Sequence, residues 1–230
     1  MVNLRIILVN PEYQQNIGYC ARIIKNFGFN DLWIVSGPKI GQEAIKYSKH
    51  AADVLNNVKA VKSLDTAIKD CSIVIGTTAI EAAGKNILRN SITPKELTKQ
   101  IKGNSEKVAI LIGSEGKGLD VKDLEKCDII VRIPANEEYG TLNISHALAI
   151  ILYELNQKRI GEPRSSDFID PHDRKFLISS IDSAVSKMSG LKNSNTIKLA
   201  VRRVIYRGVR SPIEGRALIQ FLKNLNKNKK

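Results

Sequence analysis

This chain of 230 residues has only three cysteines, three histidines and one tryptophan. Cys20, Cys71 and Cys127 are odd in number, far apart and without C-x-x-C spacing, so neither a disulfide framework nor a zinc site with His50, His146 or His172 is supported. They read as reduced structural thiols. The histidines are not spaced as a nucleophile-base pair either: His146 directly follows Ser145, and adjacent side chains diverge on a helix. No catalytic histidine and no metal are expected. Nor does any apolar run approach the roughly 20 residues of a membrane span. Met1-Val-Asn-Leu-Arg5 enters a strand pattern directly, without a charged leader and cleavage site, so the cytoplasm is the expected address and no membrane partner is expected. Aromatics are scarce at 5%, yet 43% hydrophobic content is ordinary for a packed globular chain.

Acidic residues are also in short supply, and unevenly so. Residues 1 to 157 hold 19 Lys and Arg against 17 Asp and Glu, whereas residues 158 to 230 hold 17 against 6, so +11 of the +13 net charge sits in the last third. A basic appendage on a near-neutral domain suggests a polyanionic partner, with a solvated helical face as the plainer alternative.

Strand-like runs at 4–9, 31–35, 72–76, 108–112 and 129–133, with one more in the strand-helix pair 58–70, alternate with helical patterns at 17–27, 43–56 and 142–156. This alternation predicts a mostly parallel α/β sheet with helices on both faces. Residues 158–170, with Gly, Pro and paired Ser, read as a linker. Beyond it, Asp170-Pro171 and Ser211-Pro212 mark helix starts and Gly190 and Gly208 stops, giving helices at about 171–189, 194–207 and 212–226. Three domain-level pieces are therefore expected: 1–157, a linker at 158–170, and a small all-helical extension at 171–230.

Three polar loops that follow strand-like runs concentrate the chain's chemistry: Asn10 to Arg22, Gly113-Ser-Glu-Gly-Lys-Gly118, and Ile133 to Ser145. The ends of strands in open α/β sheets are where ligands bind. The Gly113 loop lacks the Lys-Ser/Thr of a phosphate loop and the spacing of a dinucleotide fingerprint. It is either a plain tight turn or a place where backbone approaches a ligand, with Glu115 projecting. Thr141, Asn143 and Ser145 stand at the start of an otherwise apolar helix, where such groups cap the end or orient a ligand. Asn16 is a natural N-cap for the first helix. Arg22, early in that helix, opposes its macrodipole, so an anion or a salt bridge with Glu12 should compensate it.

Taken in order, these segments resemble the three signature motifs of the SpoU/TrmH branch of the SPOUT methyltransferases: Asn-Pro-x-x-x-x-Asn-Ile-Gly-x-x-Ala-Arg, Gly-x-Glu-x-x-Gly-Leu, and Ile-Pro-x-x-x-x-Tyr-x-x-Leu-Asn-x-Ser. The resemblance covers residues 1 to about 157. It implies a trefoil knot in the C-terminal part of the domain, which short, unthreaded connections would not lead one to expect. It further implies a homodimer joined through the first and last helices of the domain, and transfer of a methyl group from S-adenosylmethionine to a ribose 2′-hydroxyl of RNA, without a metal. Thr77, Thr78, Ala79, Gly113, Ile133, Gly140, Thr141 and Leu142 would hold the cofactor. Arg22 would act on the reacting hydroxyl, and Asn16, Glu115 and Asn143 would orient the site. Because a guanidinium scarcely deprotonates, Arg22 is better read as an electrostatic clamp than as the base. Tyr139 and Ser145 would meet the RNA. Ser114 stands where many relatives carry Arg, leaving a phosphate contact to Lys117.

The segment Lys198 to Arg207, with Glu214 and the apolar run 218–225, resembles the C-terminal extension of members that methylate nucleotide 32 of the tRNA anticodon loop. Arg202, Arg203, Arg207 and Arg210 would meet tRNA, with Arg203, Arg207 and Arg210 on one face as a phosphate stripe. Another tRNA position or ribosomal RNA is the next expectation. A catalytically silent RNA-binding protein on the same scaffold is a third, and retention of Arg22, Asn143 and the cofactor loops speaks against it.

Overall fold

The computed structural model describes residues 3–80, 88, 90–101, 107–157, 169–188, 190–209 and 211–227. The chain divides into two compact units, residues 1–99 with 105–161, and residues 100–104 with 162–230.

In the first unit, β1 (Asn3–Val9), β2 (Asp31–Val35), β3 (Lys59–Val61), β4 (Ile73–Thr77), β5 (Lys107–Ile112) and β6 (Ile129–Val131) form one sheet in the order β3-β2-β1-β5-β4-β6. Every pairing is parallel. Alternate side chains of a strand point to opposite faces, and β1 and β5 are buried on both, Ile6, Leu8, Ile110 and Ile112 on one side and Ile7, Val9, Ala109 and Leu111 on the other. This double burial is why these strands read as unbroken apolar runs. Leu64 and Ala67 of α4 (Leu64–Ile68) and Leu124 of α6 (Val121–Glu125) close the Ile7 face. On α1 (Gln14–Asn26), Ile17, Cys20, Ala21 and Ile24 are buried, and this helix packs against α2 (Gln42–Ser48) and α7 (Ile144–Asn156). Gly18 permits the α1–α2 approach: a Cβ there would lie 2.4 Å from the Ala44 carbonyl oxygen. The chain turns to β2 on one side of β1 and returns to β5 on the other. The crevice of a topological switch point thus lies at the C-terminal ends of β1 and β5.

Several expected elements shift. The helix expected at 43–56 is broken into α2, a 3-10 turn at Lys49–Ala51 and α3 (Ala52–Asn56), because Lys49 adopts φ 54° and ends the first piece. The helix α5 (Pro94–Gln100) was not among the expected elements, although a capping box opens it: Thr93 Oγ1 accepts the Glu96 N–H at 3.3 Å, and the Glu96 carboxylate accepts the Thr93 N–H at 2.8 Å. The last strand stops at Val131, two residues short.

At the opposite, N-terminal edge of the sheet, Arg5 is buried. Its Nε donates to Asp31 at 2.9 Å, one terminal nitrogen donates to the Ala67 carbonyl at 2.7 Å, the other to Asp70 at 3.1 Å, and its guanidinium lies 4.1 Å from the Trp33 ring centre. Bonds from Arg5 and Lys107 hold the Asp70 carboxyl well below the usual carboxylate range. A depressed pKa contributes stability that is fully present above the unfolded value near about 4 and is lost as pH falls below it. Asp70 is more than half exposed, so solvent screens much of this contribution, and Arg5→Ala should destabilise the fold by about 1 to 2 kcal/mol at neutral pH through the hydrogen bonds it removes. In urea unfolding at pH 7 and pH 3, the variant should lose less stability on acidification than the parent. An equal loss would show that Asp70 draws nothing from Arg5.

The second unit contains α8 (Pro171–Ser186), α9 (Ser194–Gly208) and α10 (Pro212–Lys227), packed around Leu177, Ile205, Val209 and Ile219 with Ile169. Asp170 caps α8 by accepting the His172 N–H at 2.8 Å. Ser211 and Glu214 form a capping box on α10, at 2.9 and 3.1 Å. No described helix is long and apolar enough to cross a membrane. Residues 158–168 of the expected linker lie outside the described residues.

Candidate active site

The three motif loops meet at the C-terminal ends of the strands, and a directed chain of hydrogen bonds joins them. Asn143 is the N-cap of α7: its Oδ1 accepts the Ser145 backbone N–H at 2.9 Å and the Ser145 hydroxyl at 2.7 Å. Its Nδ2 therefore points away and donates to Asn16 Oδ1 at 3.0 Å. Asn16 in turn donates from Nδ2 to Glu115 Oε1 at 2.7 Å, while Glu115 Oε2 accepts the Glu12 backbone N–H at 2.8 Å. Both ends of the chain are backbone donors, which cannot reverse, so the orientation of each amide between them is set. Each Glu115 oxygen accepts one of these bonds, so Glu115 anchors the Asn16 side-chain amide and the Glu12 backbone together.

This arrangement corrects two expectations. Asn16 is not the N-cap of α1: the helix starts three residues earlier than expected, with Tyr13 as its cap residue, and Asn16 is a buried member of the first turn. Ser145 is buried and spends both donors on Asn143, so it does not present itself to RNA. Asn143 both caps α7 and carries the relay.

Arg22 stands apart from this chain. Six helical residues after Asn16 rotate a side chain by about 600°, a net turn of roughly 120° from it. Asn16 is buried and Arg22 is exposed. With α1 starting at Gln14, Arg22 lies in its second half, so the argument from an opposed macrodipole does not apply. Among the described residues Arg22 forms no ion pair with Glu12 or any other carboxylate. A cation free of partners can serve a ligand.

Beside the relay lies a cleft of about 190 Å³. Thr77, Thr78, Ala79, Gly113, Ile133, Gly140, Thr141 and Leu142 all line it. Sequence reasoning passed over its apolar floor, where Ile112, Val131, Ile144 and Ile151 contribute; their burial in strands and helix gave no separate signal. Glu115 and Lys117 are the ionisable residues on its wall. The loop bearing them is a closed turn: Gly118 donates to the Ser114 carbonyl at 2.9 Å, Lys117 N–H reaches Ser114 Oγ at 3.3 Å, and Gly118 adopts φ 69°. A Cβ on Gly113 would lie 2.1 Å from the Gly118 carbonyl carbon, so only glycine fits there. Tyr139 is 85% exposed beyond the cleft. Burial pushes the Cys20 thiol far up, and raises Cys71 to about 11, which leaves both as unreactive thiols. Among the described residues no three His, Cys, Asp or Glu side chains converge.

In the helical unit the expected arginine stripe is interrupted at Arg203. Arg203 is 1% exposed, because it follows Leu199 by one helical turn on the buried side of α9. Arg207 is half-buried and turns its Nε to the Arg203 carbonyl at 3.2 Å; Arg202 is half-buried, and Arg210 lies outside the described residues. The exposed cations among the described residues of this unit are Lys175, Lys187, Lys192, Arg216 and Lys223.

An all-parallel sheet with a polar relay and a cleft at its switch point defines an α/β enzyme of small-ligand chemistry. The model of the SpoU rRNA methylase family matches residues 3–153, and the chain belongs to that family. A tRNA (cytidine-2′-O-)-methyltransferase TrmJ of Methanocaldococcus jannaschii is 33% identical over 97% of this chain and 100% of its own length. The cytidine/uridine enzyme TrmJ of Salmonella typhimurium is 32% identical over 76% of this chain and 72% of its own. The crystal structure of TrmJ from Z. mobilis superposes with a TM-score of 0.66 at 26% identity, covering 96% of this chain and 98% of that one.

Proposed function

We propose that the protein is a tRNA ribose 2′-O-methyltransferase that uses S-adenosylmethionine and acts on nucleotide 32 of the anticodon loop, with cytidine accepted there. The observation that carries this reading is the relay that joins all three motif loops beside the cleft, together with relatives named as tRNA 2′-O-methyltransferases over the chain's full length. The cleft suits the cofactor chemically: an apolar floor for a purine, Gly140, Thr141 and Leu142 with Thr77, Thr78, Ala79, Gly113 and Ile133 around it, and one charge of each sign for an amino acid end. Bound there, the cofactor supplies a methyl group already activated by its sulfonium. The chain must then hold the 2′-oxygen in line and stabilise the charge that develops on it. Arg22 does the second, as a clamp on the developing alkoxide and the neighbouring phosphate. Asn16, Glu115 and Asn143 keep the loops in register, and Tyr139 stacks on or beside the target nucleotide.

Since Arg22 points away from the relay of its own chain, it is assigned to the site of a partner in a homodimer. Tyr19 on α1 and Ile150 and Tyr153 on α7 are exposed on the two helices that would form that interface. The family's trefoil knot is assigned to the same domain, the catalytic domain to residues 1–157, and tRNA binding to the basic helices 171–230. Incubating tRNA with labelled cofactor and mapping ribose methylation is the test: label at the 2′-oxygen of nucleotide 32 is expected, and label elsewhere would overturn the site assignment.

The cations expected to meet tRNA phosphates are Lys175, Arg216 and Lys223, with Lys187 and Lys192. Counterion release makes such binding steeply salt-dependent. Replacing Lys175, Arg216 and Lys223 by alanine should flatten the slope of log K against log salt by about 2 to 3 units. An unchanged slope would mean that these helices are a solvated surface.

A further inference from the structure

We propose that Glu12 is the positioning residue that sets the Gly113–Gly118 loop over the cleft, a role that rests on the methyltransferase reading above. Glu12 and the loop exchange hydrogen bonds in both directions. Its backbone N–H donates to Glu115 Oε2 at 2.8 Å, and its side-chain Oε1 accepts the Gly116 N–H at 3.4 Å. The bonds within the loop, Gly118 to Ser114 and Lys117 to Ser114, close the turn on itself but do not say where it lies. Its external polar ties are the two bonds of Glu115 and the one from Gly116 to Glu12. Glu115 anchors the loop's first half; Glu12 sets the pitch of its tip, which lines the cleft at Gly116.

Gly116 is part of the same device. A Cβ there would lie 3.2 Å from Glu12 Oε1, so an added methyl makes the carboxylate give by a few tenths of an ångström, which lengthens a bond already at 3.4 Å. Glu12 forms no ion pair among the described residues, and its task is to accept one backbone hydrogen bond. A neutral amide oxygen accepts that bond too, though less strongly than a carboxylate, whereas alanine offers no acceptor. The geometry is therefore expected to tolerate glutamine and to fail with alanine, which a charge effect would not do.

The test uses the full chain and measures S-adenosylmethionine affinity by calorimetry beside kcat and the KM for tRNA. E12A should weaken cofactor binding by about fivefold, with the thermal midpoint and the KM for tRNA little changed. E12Q should bind within twofold of the parent. G116A should match E12A, and the double variant should be no worse than either single one, since both remove one interaction. Cofactor binding by E12A equal to the parent's, an E12Q defect as large as that of E12A, or multiplied losses in the double variant would each overturn the role. A parent protein that bound no S-adenosylmethionine would overturn the underlying reading, and this inference with it.

Discussion

Replacing Arg22 by alanine should abolish methyl transfer while leaving cofactor affinity and folding almost untouched. Arg22 is exposed on α1, forms no ion pair among the described residues and does not line the cleft of its own chain, so its removal opens no core cavity; in the proposed homodimer it stands on the RNA side of the partner's site and is expected to take its contact from the RNA rather than from the cofactor. What it takes away is a fixed positive charge where the 2′-oxygen becomes negative, and loss of one such group costs about 10²- to 10³-fold in kcat. Arg22→Lys should recover only part of this, since an ammonium keeps the charge without the planar fork that grips a phosphate. Single-turnover rates beside calorimetry with S-adenosylmethionine separate the effects. Turnover in Arg22→Ala close to that of the parent would remove Arg22 from the chemistry.

The second large effect is expected from a nearly isosteric change, Asn143→Asp. Aspartate is as good an N-cap as asparagine, so α7 should keep its start. The relay, however, loses its donor. Asn16 Oδ1 would face a carboxylate oxygen, and if Asn16 turned its amide to donate to it, its own oxygen would face Glu115 instead. Either way two acceptors are left in contact, beside a carboxylate already engaged by the Glu12 N–H. Asn16 is buried but Asn143 is exposed, so water relieves part of the clash and the cost is about 1 to 2 kcal/mol. Felt at the site, that is about a 5- to 30-fold loss in kcat/KM for tRNA. A thermal midpoint lowered by a few degrees together with the lowered rate, at unchanged helix content, would locate the cost in the relay rather than in the cap. Activity within twofold of the parent would show that the direction of these bonds does not matter.

Both variants turn on the difference between what a residue is and where its partners are. The strands were legible because β1 and β5 are buried on both faces and therefore carry unbroken Leu, Ile and Val runs. The helix starts were legible at Asp170 and Ser211, where a capping side chain and Pro at the first helical position coincide. The cofactor loops were legible as polar stretches after strands, and the motif order tied them to one family. The three tertiary-level corrections share a cause. Asn16, Arg203 and Ser145 are polar residues that local pattern places at an end or a surface, and each is buried. Burial of a polar side chain depends on partners far along the chain, such as Glu115 for Asn16, 99 residues away. No window of local sequence contains that information.

The sequence by itself therefore determined the sheet, its parallel sense, the three loops and the family, because hydrophobic period, turn chemistry and ordered motifs are local properties of the chain. Only the tertiary structure decided that Asn143, Asn16, Glu115 and Glu12 form one directed chain, that Arg22 points away from it, and that Lys175, Arg216 and Lys223 are exposed in the helical unit while Arg203 is buried. The direction of a hydrogen bond and the exposure of a charge are set by what packs against them, and they come into being only when the chain is folded.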